Sequence, residues 1–534
     1  MIHRLIDASL NNRFLIVMLW GLALGVGLYA MRTLPIDAVP DVTNVQVQVL
    51  TNSPGLAPEE VERYITFPVE TSLSGIPNVE EIRSISKFGL SVVTVVFAEG
   101  TDIYWARQQV GERLTAAKAQ IPSGYGEPQM GPISTGLGEI FQFEVKGPGY
   151  TPMERRTILD WIIAYQLKSV PGIVEVNSFG GELKCYQISL DPREMRKHEI
   201  TLHAVFQALR ENNRNVGGAY IVRNSEQWLI RGEGLIEGKK DLETIVIQRS
   251  QRGSPLTLGH IARVELAPMV RQGAVTRDGR GEAVIGIVMM LAGANGRVVV
   301  ERVKKRIAAV EKTLPKGVTI EPFYDRTELI DKTIATVATN LLEGGALVVL
   351  VLFLLLGNIR AGLIVALAIP LSMLVALVAL ERMGYSGNLM SLGAIDFGLI
   401  VDGSVVIVEN IVRYLHEHRD DRQTPLLEKV RAASHEVGRP VVFAVLIIVI
   451  VYPPIIALSG IEGKLFKPMA FTVVWALVAS LLLSLTLMPV LASLVLRGRV
   501  SERETPVIRL ARWLFRPLQR VTMRLRVVTV VVTL

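Results

Sequence analysis

Six long apolar runs restrict this chain to folds that place several helices in a membrane. Each run is close to the roughly 20 residues that an α-helix needs to cross the hydrocarbon layer of a bilayer. The runs cover residues 14–31, 335–356, 361–380, 389–412, 441–458 and 470–496. We therefore expect a first membrane helix within 1–33, five more within 335–497, and the truncated start of a seventh at 527–534.

Basic side chains mark one side of the membrane. They are concentrated in the loop 413–439 and the stretch 498–526, and at Arg4, Arg13 and Arg360. All of these lie on one side if each run crosses once, and the positive-inside rule makes that side cytoplasmic. The soluble region between the first two runs is then periplasmic in a bacterium with two membranes. The basic stretch is either an amphipathic helix on anionic lipid or a plain cytoplasmic linker.

The soluble region of about 300 residues has room for two or more domains. Its first part alternates extended and helical patterns, with strands at 45–51, 79–86 and 90–98 and helices at 57–74 and 102–119. This order is most of a split βαβ unit of ferredoxin-like type. A helix-(I/V)-P-(N/G)-strand junction occurs at 75–78 and again at 169–172, which predicts an internal repeat.

An insertion interrupts the second copy of the repeat. Strand patterns at 141–146 and 174–178 resume only at 284–290. Between them, the alternating stretch 220–231 predicts a long hairpin. Such a hairpin either contacts another subunit or partner, or is an ordinary surface hairpin.

Three carboxylates lie within the fourth apolar run: Asp396, Asp402 and Glu409. A charge at mid-bilayer costs about 2.5–3.5 kcal/mol on insertion scales, so a helix with three of them predicts a proton or cation relay. Asp402 and Glu409 are seven residues apart and share a helix face about 10 Å apart along the axis, whereas Asp396 points about 120° away. Alternatively, the acids pair with basic groups outside this chain and only hold a bundle together.

Motifs for other chemistries do not support an enzyme. The triplet Asp396-Phe397-Gly398 matches a kinase metal-binding motif, but no glycine-rich loop or catalytic-loop signature precedes it. The sequence has neither a phosphate-binding P-loop nor an H-E-x-x-H motif. Cys185 is the only cysteine, which excludes an intrachain disulfide. Transport would therefore be driven by an ion gradient or by another subunit, and the positive charge belongs to the membrane side rather than to nucleic-acid binding.

Three strings resemble the heavy-metal efflux branch of the resistance–nodulation–division (RND) transporters, the CzcA-like pumps. They are DFGLIVDGSVVIVEN at 396–410, LPIDAVPD at 34–41 and GPISTGLGEI at 131–140. The form of the first string is the one associated with zinc, cobalt and cadmium, because copper and silver pumps usually lack the first aspartate. The resemblance covers essentially the whole chain, which is similar to the N-terminal half of a family member.

The resemblance implies a membrane α-helical bundle with α+β periplasmic porter subdomains and an inserted docking subdomain. The implied boundaries are 34–134 for porter subdomain 1, 135–181 with 275–330 for porter subdomain 2, and 182–274 for the docking insertion. It also implies that Asp396, Asp402 and Glu409 form a proton pathway. Glu139 falls in the porter region, where it could guide a metal cation.

The implied activity is proton/cation antiport in the inner membrane, driven by the proton-motive force without a cofactor. The implied assembly is a homotrimer with a periplasmic adaptor protein and an outer-membrane channel, with the hairpin reaching into the neighbouring protomer. A C-terminal half would be required, whether this chain is a fragment or the halves are encoded separately. The sequence leaves the metal open. A hydrophobic-drug exporter, which tends to carry an adjacent Asp-Asp pair that this chain lacks, and a non-transporting scaffold remain alternatives.

Overall fold

The computed structural model describes residues 1–37, 39–249, 255–271, 273–356, 358–393, 397–421, 423–496 and 506–525. The chain forms two compact units. They are Met1–Gly138 with Leu291–Val300 and Asp325–Leu534, and Glu139–Met290 with Glu301–Tyr324. Asp396 and the expected helix start at 527–534 lie outside the described residues.

The helices are, in chain order, α1 (Ile2–Asn11), α2 (Arg13–Thr33), α3 (Pro58–Val61), α4 (Phe67–Leu73), α5 (Ile103–Gln120), α6 (Pro152–Ile158), α7 (Ala164–Lys168), α8 (Pro192–Lys197), α9 (Leu202–Glu211), α10 (Lys239–Thr244), α11 (Leu258–Ile261), α12 (Gly296–Val310), α13 (Arg326–Leu356), α14 (Ile359–Ala366), α15 (Ala368–Arg382), α16 (Leu389–Gly393), α17 (Phe397–Glu417), α18 (Leu426–Val449), α19 (Pro453–Ile456), α20 (Gly460–Leu485), α21 (Leu487–Val495) and α22 (Pro506–Arg524).

The strands are β1 (Gln46–Asn52), β2 (Val79–Lys87), β3 (Leu90–Phe97), β4 (Gln129–Met130), β5 (Glu139–Lys146), β6 (Ile173–Phe179), β7 (Lys184–Leu190), β8 (Val216–Arg223), β9 (Glu226–Gly232), β10 (Val246–Arg249), β11 (Pro255–Thr257), β12 (Ala262–Pro268), β13 (Ile285–Met290) and β14 (Thr319–Asp325).

Five helical segments among the described residues are long and apolar enough to cross a membrane. They are Arg13–Thr33, Arg326–Leu354, Ile359–Arg382, Leu426–Ile456 and Gly460–Leu485. They contain most of five of the six apolar runs, and the run at 389–412 corresponds to α16 and to α17, which carries charged residues. The membrane bundle expected from the sequence is therefore confirmed.

The short helix α1 was not expected as a separate element. Its Asp7 lies against the start of α18 at ion-pair distance, with Oδ1 3.2 Å from Nε of Arg431 and 3.0 Å from Nε2 of His435. Arg431 also donates to the side chain of Asn11 at 2.7 Å. The N-terminus and the second part of the basic stretch 413–439 therefore lie on the same side of the bundle, as the positive-inside argument requires.

The α+β part of the first unit contains a four-stranded antiparallel sheet in the order β2-β3-β1-β4. This is the strand order of a ferredoxin-like fold. Helix α5 begins where Oδ1 of Asp102 accepts from the backbone N–H of Trp105 at 2.8 Å, an N-cap that the sequence predicted. Buried apolar residues of the strands and helices, including Val49, Val95 and Val110, form its core.

The second unit repeats this topology, with a sheet in the order β14-β5-β13-β6. The helix before the repeated junction contains one π-helical turn in each copy, at Glu62–Thr66 and at Leu159–Ile163. The residue after the junction proline has a positive φ in both copies, 62° at Asn78 and 95° at Gly172. Asparagine and glycine are the residues that tolerate this conformation best. The membrane bundle and α+β fold class are confirmed, while the domain boundaries stay predictions.

The predicted hairpin is present in the insertion between β6 and β13. Strands β8 and β9 pair in antiparallel fashion, and every residue of both is exposed. The turn residues Asn224 and Ser225 both have positive φ, 50° and 63°, which is typical of a two-residue type I′ turn. The hairpin therefore projects from the unit with neither face packed among the described residues.

Candidate functional site

The two described carboxylates of the candidate relay share one face of α17. An exposed stripe on this helix contains Gly398, Asp402, Val406, Glu409 and Arg413. The seven-residue spacing of the two acids places them about 10 Å apart along the helix axis. The shared face follows from the spacing, but the exposure does not, because the sequence argument placed the acids inside a bundle.

The opposite side of α17 is fixed by small and hydroxylated residues. Oγ of Ser404 lies 2.8 Å from Oγ of Ser484 on α20, and the hydroxyl of Ser480 donates to the carbonyl oxygen of Ile400. A Cβ atom on Gly403 would lie 3.2 Å from Oγ of Ser484, so no larger residue fits without movement. Small residues let membrane helices approach closely, and here they set the rotation of α17. The acidic stripe consequently points away from α20.

Asn410, the last residue of the signature string, binds α18. Its Nδ2 donates to the carbonyl oxygen of Ala433 at 2.8 Å and to Oε2 of Glu436 at 3.1 Å. Its Oδ1 accepts from Nη2 of Arg413 at 2.5 Å, and Arg413 also lies 3.4 Å from Glu436. Sequence reasoning missed this role, although a polar asparagine within an apolar run, directly after Glu409, was the available signal. Asn410 therefore fixes α17 against α18.

Glu139 begins β5 at an exposed position, where its Oε2 accepts from Nε2 of Gln142 at 3.0 Å. It lies opposite Met289 of β13, and Met289 lies opposite Glu175 of β6. The pairing of β13 with β5 shifts its register between Val288 and Met289, so Glu139 lies beside a β-bulge. Glu139, Met289 and Glu175 are thus neighbours in the strand pairing across three strands, and we call these three residues the Glu139 row.

The Glu139 row brings in a carboxylate that the sequence did not single out. Strands lie about 4.8 Å apart, so the backbones of Glu139 and Glu175 are about 10 Å apart. Within the described residues there is no group of three or more His, Cys, Asp or Glu side chains that could hold a metal ion. The row is thus at most part of a metal path.

The two other family-like strings lie together in the first unit. The backbone N–H of Gly136 donates to Oγ1 of Thr43 at 3.2 Å. The guanidinium group of Arg326 donates to the carbonyl oxygen of Leu137, and its Nη2 lies 3.0 Å from Oδ1 of Asp37. Arg326 is only 5% exposed. Burial raises the pKa of Asp37, against the lowering effect of the Arg326 charge.

Comparisons with known proteins agree with this architecture. The sequence profile of the AcrB/AcrD/AcrF family matches residues 5–531. The chain is 45% identical to the cation efflux system protein CzcA of Alcaligenes sp. (strain CT14), covering 97% of this chain and 50% of the relative. It is also 45% identical to the cobalt-zinc-cadmium resistance protein CzcA of Cupriavidus metallidurans, with the same coverage.

A solved structure is similar as well. The crystal structure of a heavy metal efflux pump, crystal form I, aligns with a TM-score of 0.82 and 37% identity, covering 92% of this chain and 48% of that one. The chain spans about half the length of the curated relatives that it matches. On these grounds, the chain belongs to the AcrB/AcrD/AcrF family, in the heavy-metal efflux branch of the RND transporters.

Proposed function

We propose that this chain is part of a proton-driven exporter of divalent heavy-metal cations of the zinc, cobalt and cadmium type. The observation that carries the proposal is the stripe of carboxylates on α17, formed by Asp402 and Glu409. Asp396, six residues before Asp402, is proposed as the third member of the relay. The names of the similar proteins support the choice of cation, since one of them is a cobalt-zinc-cadmium resistance protein.

The exposed stripe requires a protein surface to cover it. An ionised carboxylate facing lipid is costly, so charged residues of membrane helices face other helices or water-filled cavities. The similar proteins are about twice as long as this chain, and we propose that their other half covers the stripe. Inside such an interface each acid would take up a proton when its surroundings disfavour the charge, and release it when they change. Alternate protonation would then drive the movement of α17 against its new neighbours.

The Glu139 row is the proposed part of the cation path in this half. Carboxylate oxygens bind zinc and related divalent cations, and the soft sulfur of Met289 extends the choice to softer ions such as cadmium. Two carboxylates and one thioether leave coordination positions open. Ligands from outside the row would complete the site, and they would also determine its selectivity among the metals.

We propose a homotrimer in the bacterial inner membrane, working with a periplasmic adaptor protein and an outer-membrane channel. The hairpin β8–β9 supports the trimer, because an isolated two-stranded hairpin is marginally stable in water. Its exposed apolar side chains include Tyr220, Trp228 and Leu229. Covering by a neighbouring protomer would stabilise it. The basic helix α22, with exposed Trp513 and Phe515, fits the cytoplasmic membrane surface.

The proposal is tested by Asp402→Asn in the complete pump, with the other half present in the same polypeptide or co-expressed. We expect loss of zinc and cobalt tolerance in a metal-sensitive bacterial strain, with unchanged protein amount in the membrane. Glu417→Gln is the matched control, because Glu417 is the last residue of α17 and its side chain is exposed. Its Oε1 lies 4.0 Å from Nε of Arg413. Full tolerance in Asp402→Asn would contradict the relay. Tolerance to hydrophobic drugs but not to metals would favour the drug exporter.

A further inference from the structure

Apart from Glu139, two of the three family-like strings have no part in the relay or in the cation path, although they lie together. The string at 34–41 contributes Asp37, and the string at 131–140 contributes the carbonyl group of Leu137. Both are bound by a single side chain, Arg326, which comes from neither string. Arg326 is the first residue of α13, one of the long apolar helices.

The start of α13 is held firmly around Arg326. Oδ1 of Asp325 accepts from the backbone N–H of Thr327 at 2.8 Å and from its hydroxyl at 2.6 Å. Thr327 is buried, as is Arg326. The guanidinium group therefore has its position set by the helix that carries it, so a shift of α13 would be transmitted to both of its acceptors.

Asp37 is in turn joined to the segment that precedes the relay helix. Its backbone N–H donates to the carbonyl oxygen of Gly387 at 2.9 Å, and the N–H of Gly387 donates to the carbonyl oxygen of Pro35 at 2.9 Å. The next residue, Asn388, is buried and caps α16 by accepting from the N–H of Ser391 at 2.8 Å. The contacts thus connect α13, the end of the first membrane helix and the segment leading towards α17.

Resting on the function proposed above, we propose that Arg326 is a positioning residue that couples the membrane helices to the loop 131–138. The Arg326 joint consists of Arg326 with Asp37, Leu137 and Gly387. Movement of α13 relative to the Asp37 segment shifts the carbonyl group of Leu137, two residues before Glu139 in the sequence. Each of the two strings thus supplies one of the acceptors that bind the guanidinium group of Arg326.

The chemistry of arginine suits this role. Its planar guanidinium group presents several N–H donors in a fixed fork, so it binds a carboxylate and a carbonyl group at the same time in one geometry. Lysine has a single ammonium group on a flexible stem and holds two acceptors less rigidly. A buried charge that loses its partner is costly, so the joint moves as a unit rather than coming apart.

A chain of contacts alone does not demonstrate coupling, so the test measures transport. The complete pump is reconstituted in proteoliposomes, and zinc uptake and the accompanying proton flux are recorded for Arg326→Gln, Arg326→Lys and Asp37→Asn. We expect the maximal zinc transport rate to fall about tenfold or more in Arg326→Gln and Asp37→Asn, with zinc affinity near that of the wild type and the trimer still folded. Their thermal midpoints should be lower, because each variant leaves a buried charge without its partner. Arg326→Lys should retain an intermediate rate. The double variant Arg326→Gln with Asp37→Asn should transport zinc no more slowly than either single variant, because both substitutions remove the same ion pair.

Asp331→Asn is the matched control. It removes a carboxylate from the same helix, five residues after Arg326, where Asp331 forms an exposed ion pair with Arg297 at 3.3 Å. This variant should transport zinc at the wild-type rate. A slow Asp331→Asn would show that any charge change near the start of α13 suffices, and would overturn the specific role of Arg326.

A wild-type rate in Arg326→Gln, or a loss of rate matched by a loss of folded trimer in both Arg326 variants, overturns the joint. Asp402→Asn in the same assay separates this failure from that of the proposed function. If Asp402→Asn stops transport and Arg326→Gln does not, only the joint is wrong. If the wild type moves no metal, both proposals are wrong.

Discussion

The close contact between α2 and α15 provides a sharp test of the packing in the membrane bundle. A Cβ atom on Gly27 of α2 would lie 2.6 Å from Cβ of Leu374 on α15. Ordinary van der Waals contact begins at 3.4 Å, so Gly27→Ala requires a displacement of about 0.8 Å. Because the atom in the way is Cβ of Leu374, which is bound to its backbone, side-chain rotation cannot relieve the overlap. The two helices must move apart.

Gly25 is the control on the same helix. A Cβ atom there would have no heavy atom within 4 Å. Both Gly→Ala substitutions gain the same helix propensity, up to about 1 kcal/mol in water, and this gain cancels in their difference. Overpacking in a well-packed core costs about 1–3 kcal/mol. Gly27→Ala should therefore be about 1–3 kcal/mol less stable than Gly25→Ala.

Thermal unfolding of the two variants in the same detergent measures this difference. Gly25→Ala should unfold at or above the wild-type temperature, and Gly27→Ala below it. Gly27→Val should be less stable still, because a larger side chain needs a larger separation of α2 and α15. Equal midpoints for Gly25→Ala and Gly27→Ala would refute the close approach of these helices.

Four further predictions concern the second unit. Thr151→Ala removes the hydroxyl that caps α6 and should lower the free energy of unfolding by about 1 kcal/mol, measured by chemical denaturation. Hydrogen bonds from the backbone and then the hydroxyl of Thr151 lower the pKa of Glu154. The ionised Glu154 carboxylate therefore stabilises the fold fully above its ordinary pKa of 4.5, and this stabilisation is lost as the pH falls through the lowered pKa. In Glu154→Gln the thermal midpoint should consequently fall less steeply with decreasing pH than in the wild type. Glu139→Gln and Glu175→Gln should each weaken zinc binding by roughly tenfold or more, measured by equilibrium dialysis, and unchanged binding in both would remove the row from the cation path. Trp228→Asp puts a charge on the exposed hairpin and should shift the trimer towards monomers in light scattering, whereas an intact trimer would argue against the hairpin contact.

Features with a local signal in the sequence were predictable. Apolar runs near the length of a membrane span indicated the bundle, because the bilayer thickness sets the length of a spanning helix. The repeated proline junction indicated two ferredoxin-like units, and the structure adds the matching positive φ values of Asn78 and Gly172. The seven-residue spacing of Asp402 and Glu409 indicated a shared face, since 3.6 residues complete a helical turn.

Features that depend on distant parts of the chain were not predictable. Asp37 and Leu137 are 289 and 189 residues from Arg326, and no local pattern marks any of the three as partners. Glu175 was missed because one glutamate in a strand is indistinguishable from a solvated residue until its neighbours across the sheet are known. The hairpin strands extend beyond the expected 220–231. The start of β8 was missed because Gly217 and Gly218 lie inside it, and glycine is unfavourable in a strand.

The contact between α1 and α18 has a consequence for biosynthesis. Asn11 and Arg431 are separated by 420 residues. At about 5–20 residues per second, the ribosome needs roughly 20–80 seconds to add that length. During this time α1 has already been made and α18 has not, so Ile6 and Leu10 of α1 lack the apolar residues of α18 against which they are buried in the finished bundle. The ion pair between Asp7 and Arg431 can form only after the ribosome has made α18. It is therefore a late step in the assembly of the membrane bundle.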